Sequence, residues 1–319
     1  MVTLAHLSDV HLPALPRIPF AHLNLKRGLG LLNWHRKRHR VHRMDTVDAL
    51  LADLAHQGPD HIAVTGDLAN LGLPEEHANA LAWLQRLGPP SLVSVVPGNH
   101  DIYTRIGRDP GVERWRAYMT SDDWGRTLTG RTADGPLAFP YVRRLGDTAL
   151  IGLCSAVPTP PFVAAGRLGE AQLARLPRLL DATHAAGLVR VVLIHHPPLP
   201  GQATRRRGLE DAAALQGVLQ RHGAELVLHG HNHRNMEARA SWRGGAAVAL
   251  GVPSFSAGIA HGHEPLARYN VIRITRSADG HEIELTGRGL TVPGGPVVEL
   301  ERRKLHVRPA APALHARRE

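Results

Sequence analysis

Four scarcities narrow what this chain can be. It has a single cysteine, Cys154, so an intramolecular disulfide framework is excluded. That residue closes the apolar run 149–154 and reads as a small core side chain. Aromatic residues make up 4% of the sequence, too few for a surface that stacks single-stranded bases. No apolar run reaches the ~18 residues of a membrane-spanning helix. The sequence enters its first β-rich run at once and shows no signal peptide, so the expected location is cytoplasmic, at most peripheral to the inner face of the membrane. Lysine is also rare, because 35 of the 38 basic residues are Arg. With Ala, Gly, Leu and Pro abundant, this is a general compositional bias, and the net charge of +10 alone says little about a nucleic-acid partner. Nothing matches a helix-turn-helix or zinc-finger module, and nucleic acid is not an expected partner.

Histidine, in contrast, is plentiful, with 22 residues. Five short apolar runs, 2–7, 61–65, 92–96, 190–194 and 225–229, each end on residues able to bind a metal. They lead into Asp9-Val10-His11, Gly66-Asp67, Gly98-Asn99-His100-Asp101, His195-His196 and Gly230-His231-Asn232-His233. β-rich runs bounded by Gly, Pro and Asp, with helical stretches between, read as strands of an α/β fold that binds its ligand beyond the carboxyl ends. Chance clustering explains any one of these pieces but not all five in order. The collected donors, two Asp, one Asn and four His, suit two divalent transition-metal ions (Mn, Fe, Zn, Co or Ni) better than Ca or Mg. Two such ions about 3.5–4 Å apart form the usual clamp for phosphate-ester hydrolysis.

The order Asp9-x-His11, Gly66-Asp67, Gly98-Asn99-His100-Asp101, His195-x-Pro197 and Gly230-His231-x-His233 resembles the calcineurin-like metallophosphoesterases over roughly residues 2–255. The resemblance implies a four-layer α/β/β/α sandwich of two mixed sheets. It implies one metal on Asp9, His11, Asp67 and His233, and a second on Asp67, Asn99, His195 and His231, with Asp67 as bridge. His196 is then a supporting residue behind the ligands. Asn70 stands where purple acid phosphatases have Tyr, and Leu68-Ala69-Asn70-Leu71-Gly72 replaces the Asp-Arg-Gly run of protein Ser/Thr phosphatases. The remaining pattern looks most like the bacterial cyclic-nucleotide phosphodiesterase branch, although lipid-A pathway pyrophosphohydrolases carry the same ligand set.

The implied function is a phosphodiesterase that attacks a cyclic nucleotide or other small phosphodiester with a metal-bridging hydroxide. By the same resemblance His100 lies beside the leaving oxygen, as proton donor or, charged, as stabiliser of the alkoxide. Asp101 is expected to orient and charge that imidazole. On the residues alone, His100 also fits a buried structural histidine and Asp101 a helix N-cap. The alternatives are hydrolysis of a lipid-linked phosphodiester or pyrophosphate at the membrane surface and, outside the enzymes, a noncatalytic metal-binding scaffold or a nucleic-acid binder.

Ligands spread from Asp9 to His233 require one fold, so residues 1–300 are expected to form a single domain and 301–319 a basic, Pro/Ala-rich tail. Helices are expected at 41–56, 75–87, 169–186 and 209–221, and strands at 245–250, 267–275 and 281–288 that complete the second sheet. Between Arg17 and Arg43 lie eight basic residues, no acid, several Leu and Trp34. This insertion at the rim of the site reads as a lid or structural cover, as a contact with an anionic membrane, or as a polyanion contact. Arg205-Arg206-Arg207 either grips a second phosphate or is a solvated charge run, and His261 and His263 either support the site or lie in an exposed loop.

Overall fold

The computed structural model describes residues 1–13, 15–104, 109–132, 135–242, 245–277 and 280–305. In chain order the elements are β1 (Val2–Leu7), α1 (Leu25–Asn33), α2 (Met44–Gln57), β2 (His61–Val64), α3 (Pro74–Leu87), β3 (Val93–Val95), α4 (Asp123–Thr129), β4 (Tyr141–Leu145), β5 (Thr148–Gly152) and α5 (Glu170–Ala185). They continue with β6 (Val189–Leu193), α6 (Ala212–His222), β7 (Leu226–His229), β8 (Met236–Trp242), β9 (Gly245–Gly251), β10 (Arg268–Ser277), β11 (Gly280–Leu290) and β12 (Val297–Leu305).

Two six-stranded mixed sheets result, ordered β12-β11-β10-β1-β2-β3 and β4-β5-β6-β7-β9-β8. β1, β2 and β3 run parallel in the first sheet, and β5, β6, β7 and β9 run parallel in the second. The period-two alternation of a strand explains the layering. In β6, Val189, Val191 and Leu193 join β1 to β3 in the core between the sheets, while Val192 packs on the other side with Leu176 and Leu180 of α5 and Leu215 and Leu219 of α6. On the outer face of the first sheet, Val47, Leu50 and Leu54 of α2 and Ala80 and Leu84 of α3 close the core. This is the four-layer α/β/β/α sandwich expected from the sequence.

Local chemistry sets the ends. α3 starts at Pro74, whose missing N–H is no loss in a first turn, and the Glu76 carboxylate accepts the backbone N–H groups of Asn70, Leu71 and Leu73. The helix expected from residue 41 begins at Met44, because His42 pairs with Ala257 in an extended bridge and Arg43 N–H donates to the Ser256 carbonyl at 2.9 Å.

Two further expectations change. β9 joins the second sheet as expected, but β10 and β11 extend the first, β10 antiparallel to β1 and β11 antiparallel to β10. Residues 301–305, placed in the tail by the sequence, form the second half of β12. The rest of that tail, 306–319, lies outside the described residues. Among the described residues no helix is long and apolar enough to cross a membrane.

Candidate metal centre

Parallel strands of both sheets deliver their carboxyl ends to one edge, and the loops there are stitched to one another. The Asp9 and His11 amides donate to the Gly66 and Asp67 carbonyls, both at 2.9 Å, which fixes the loop after β1 on the loop after β2. The His231 amide donates to Asp9 Oδ2 at 2.9 Å and the His195 ring bonds the Thr65 carbonyl at 2.7 Å, which ties the second sheet to the first. A Cβ on Gly98 would collide with the Asp67 carboxylate and amide, so the glycine of Gly98-Asn99 is required for this close approach.

The seven expected ligands converge in two groups. Asp9 Oδ1 lies 3.2 Å from His233 Nε2, and His233 Nε2 lies 3.3 Å from His11 Nε2. On the other side, Asn99 Oδ1 lies 3.1 Å from His195 Nε2 and 2.8 Å from His231 Nδ1. Asp67 Oδ2 stands between the groups, 3.7 Å from His11 Nε2 and 3.4 Å from His195 Nε2. All seven are buried. Five of them, Asp9, His11, Asp67, His231 and His233, adopt positive φ between 40° and 70°. Such backbone costs of order 1–3 kcal/mol per residue and persists where the surroundings over-determine it, often at a functional site.

The donor set fits divalent cations. With Nδ1 of His11 bonded to the Ala69 carbonyl and Nδ1 of His195 to Thr65, each ring presents Nε2 toward the centre. Asp9 Oδ1 and His231 Nε2 are buried without a hydrogen-bond partner. Burial alone would lower the imidazole of His195, yet the Asp67 carboxylate raises it to about 9, and Asp9 and Glu264 do the same for His233. Two buried carboxylates thus call for positive charge at the positions where cations would sit.

The cavity over this centre, about 330 Å³, is lined by Asp67, Asn99, His100, His231 and His233, by Lys37 and Arg38 of the insertion, and by Arg207 and Glu264. Arg38 ends a π-helical turn, Trp34–Arg38, and its guanidinium donates to His11 Nε2 at 2.9 Å and lies 3.2 Å from both ring nitrogens of His100. His100 Nδ1 donates to the Asn70 carbonyl at 2.5 Å. Burial, and then the Arg38 charge, lower the His100 imidazole to about 3.

A family model for calcineurin-like phosphoesterases matches residues 2–235. The chain belongs to this family. Two curated phosphoesterases resemble it: a probable cyclic nucleotide phosphodiesterase of Synechococcus sp., 24% identical over 46% of the chain and 61% of the relative, and a glycerophosphodiester phosphodiesterase of Enterobacter lignolyticus, 26% identical over 72% of the chain and 70% of the relative. The chain therefore spans less than two thirds of the first relative's length. Among solved structures, a dimetal phosphatase from Danio rerio superposes with TM-score 0.57 at 14% identity, covering 93% of the chain and 98% of that structure. A purple acid phosphatase from yellow lupin reaches 0.55 at 14% identity, over 96% of the chain and 53% of that structure. At these identities the structures speak for the fold of the phosphoesterase alone.

The structure also revises several side chains. Asp101 does not face His100: its carboxylate accepts the backbone N–H groups of Asp67, Leu68, Ala69 and Gly98. Burial, and then Asp67 nearby, raise it to about 7. It shapes the loop that carries Asp67 and caps no helix. His196 lies behind the ligands, bonded to Ser155 and the Ala164 carbonyl, with its ring 4.4 Å from that of His231. Of the arginine run, Arg207 lines the centre, whereas Arg205 and Arg206 line a separate cavity. His261 lines the centre and His263 a neighbouring cavity. Sequence reasoning missed Glu264, which holds His233 Nδ1 at 3.0 Å, and His42, whose ring lies 4.7 Å from that of His11 and bonds Ser256. It also gave Arg38 no role apart from the other basic residues of the insertion.

Proposed function

We propose that this phosphoesterase is a dinuclear phosphodiesterase of cyclic nucleotides or other small phosphodiesters. The observation that carries the reading is the pair of donor groups sharing Asp67 at the floor of a cavity with cationic walls. Asp9, His11, Asp67 and His233 would hold one cation and Asp67, Asn99, His195 and His231 the other. Bound there, two divalent ions supply Lewis-acid polarisation of the phosphoryl group and a water acidic enough to attack it.

The chain's own residues do the rest. Arg38, Lys37 and Arg207 attract and orient the anionic ester. His100 and Arg38 form one unit at the leaving-group side, where the fixed guanidinium charge offsets the negative charge that grows on the departing oxygen. Asn70 holds the imidazole and Asp101 the loop beneath it. The names of both curated relatives support a diester substrate. A second reading, a lipid-linked phosphodiester or pyrophosphate, is favoured by the leucines that the insertion exposes beside the cavity.

A substrate screen on metal-loaded protein tests the assignment, with cyclic nucleotides, glycerophosphodiesters, nucleoside-diphosphate lipids and DNA. The expected result is the highest kcat/KM on a small diester. A preference for p-nitrophenyl phosphate over bis(p-nitrophenyl) phosphate would overturn it.

A further inference from the structure

Helix α1 is folded inside out. Its buried residues are the cations Lys26 and Arg27, while Leu25 is 73% and Leu32 46% exposed. The inward face is fully satisfied. Lys26 Nζ donates to the Tyr103 carbonyl and to Thr159 Oγ1, and Arg27 donates to the carbonyls of His22, Leu71 and Gly72. Burial lowers the Lys26 ammonium to about 8. Gly30 belongs to the same face, since a Cβ there would press on Leu71 and Tyr103. The helix therefore cannot turn over to hide its leucines without breaking these bonds.

Leu25, Leu29, Leu32 and Arg36 recur at helical spacing along the outward side, and Phe20, in the turn before the helix, is 92% exposed. Leaving such side chains in water is costly, and a grouped exposed apolar patch marks a contact surface. The charge around it identifies the partner. Arg17, Arg36, Lys37 and Arg40 are all exposed, and no acid occurs between residues 17 and 43. A second copy of the chain would set like charges against one another. A surface with anionic groups above an apolar interior matches both features.

We propose that the outward face of residues 17–40 docks on an anionic lipid bilayer, with Phe20, Leu25 and Leu32 entering the headgroup boundary and the arginines pairing with lipid phosphates. Lys37 and Arg38 line the catalytic cavity from the same segment, so docking brings the cavity to the membrane surface. The inference goes beyond the phosphodiesterase reading and stands without it.

Flotation of the full-length, metal-loaded protein with vesicles tests it, using pure phosphatidylcholine and equal parts phosphatidylcholine and phosphatidylglycerol. The wild type is expected to float with the mixed vesicles at low salt and to stay behind with the neutral ones. Leu25→Gln with Leu32→Gln should weaken that binding at least about tenfold, and Arg36→Gln with Arg40→Gln should reduce the preference for anionic vesicles about tenfold. Both variants should hydrolyse bis(p-nitrophenyl) phosphate like the wild type. No flotation, equal flotation with both vesicles, or binding untouched by both pairs of substitutions would overturn the proposal. So would light scattering that shows a wild-type dimer made monomeric by the leucine changes, because the face would then join two copies. Protein that floats but hydrolyses no diester would leave docking intact and remove the functional reading.

Discussion

The Nε2 atoms of His11 and His233 face each other at 3.3 Å, while Nδ1 of one ring is committed to the Ala69 carbonyl and Nδ1 of the other to Glu264. Two ring nitrogens held this way from positions 222 residues apart repel as lone pairs unless a cation or proton lies between them. The same logic runs through the site: the fold spends its stability to gather acceptors, and the chemistry follows from what those acceptors bind.

His100 and Arg38 are expected to act as one unit on the leaving group. His100→Ala should release the Arg38 guanidinium from its place and so reduce hydrolysis of alkyl or ribose esters by about 10²-fold and that of p-nitrophenyl esters far less, because a good leaving group needs little help. Metal content, measured by elemental analysis, should stay near the wild-type value. Equal losses on both ester types, or loss of metal, would remove the assignment.

Arg38→Ala should show the same dependence on leaving group, with a loss of about 10²-fold on alkyl esters. Arg38→Lys should recover only part of it, since a lysine cannot reproduce the planar fork that lies against the His100 ring. The double variant Arg38→Ala with His100→Ala should lose much less than the product of the single effects. Strict multiplication of the two losses in steady-state kinetics would show independent roles.

How much of this was legible in the sequence follows from which features are local. Strands buried along their length, each ending on a donor, write both the fold and the ligand set into short segments such as 2–11 and 225–233. Arg38 was not legible. Whether a base in Arg36-Lys37-Arg38 faces water or the site depends on helix phase through the π turn, not on composition. Glu264 reaches His233 from a loop 31 residues on, and its neighbours His261 and His263 drew attention instead. The spacing of Leu25, Leu29 and Leu32 is that of an ordinary buried stripe. Only the inward hydrogen bonds of Lys26 and Arg27 show that it points outward. The sheet joined by β10 and β11 depends on pairing with β1 across the chain, which no local pattern records.

The second sheet offers a stability test apart from the chemistry. Arg190, 1% exposed, donates to both carboxylate oxygens of Glu225, at 3.0 and 2.5 Å, and to the His222 carbonyl at 2.6 Å. Glu225→Ala leaves that guanidinium buried without its counter-charge and should cost about 3–5 kcal/mol in urea unfolding. A change below about 1 kcal/mol would mean that water reaches the pair and that it behaves as a surface ion pair.

The central claim, a pair of cations sharing Asp67, is tested most directly by Asp67→Asn. Asparagine tolerates the positive φ of 56° at this position, so the backbone is kept while the bridging charge is lost. Elemental analysis of purified wild-type protein should find two transition-metal ions per chain, and the variant should bind clearly fewer while its circular dichroism stays unchanged. Hydrolysis of bis(p-nitrophenyl) phosphate should fall by about 10³-fold or more, and chelation of the wild type should give the same loss, reversed by adding metal back. Wild-type protein that binds no transition metal, or an Asp67→Asn variant that keeps both its metal and its hydrolysis, would contradict the account.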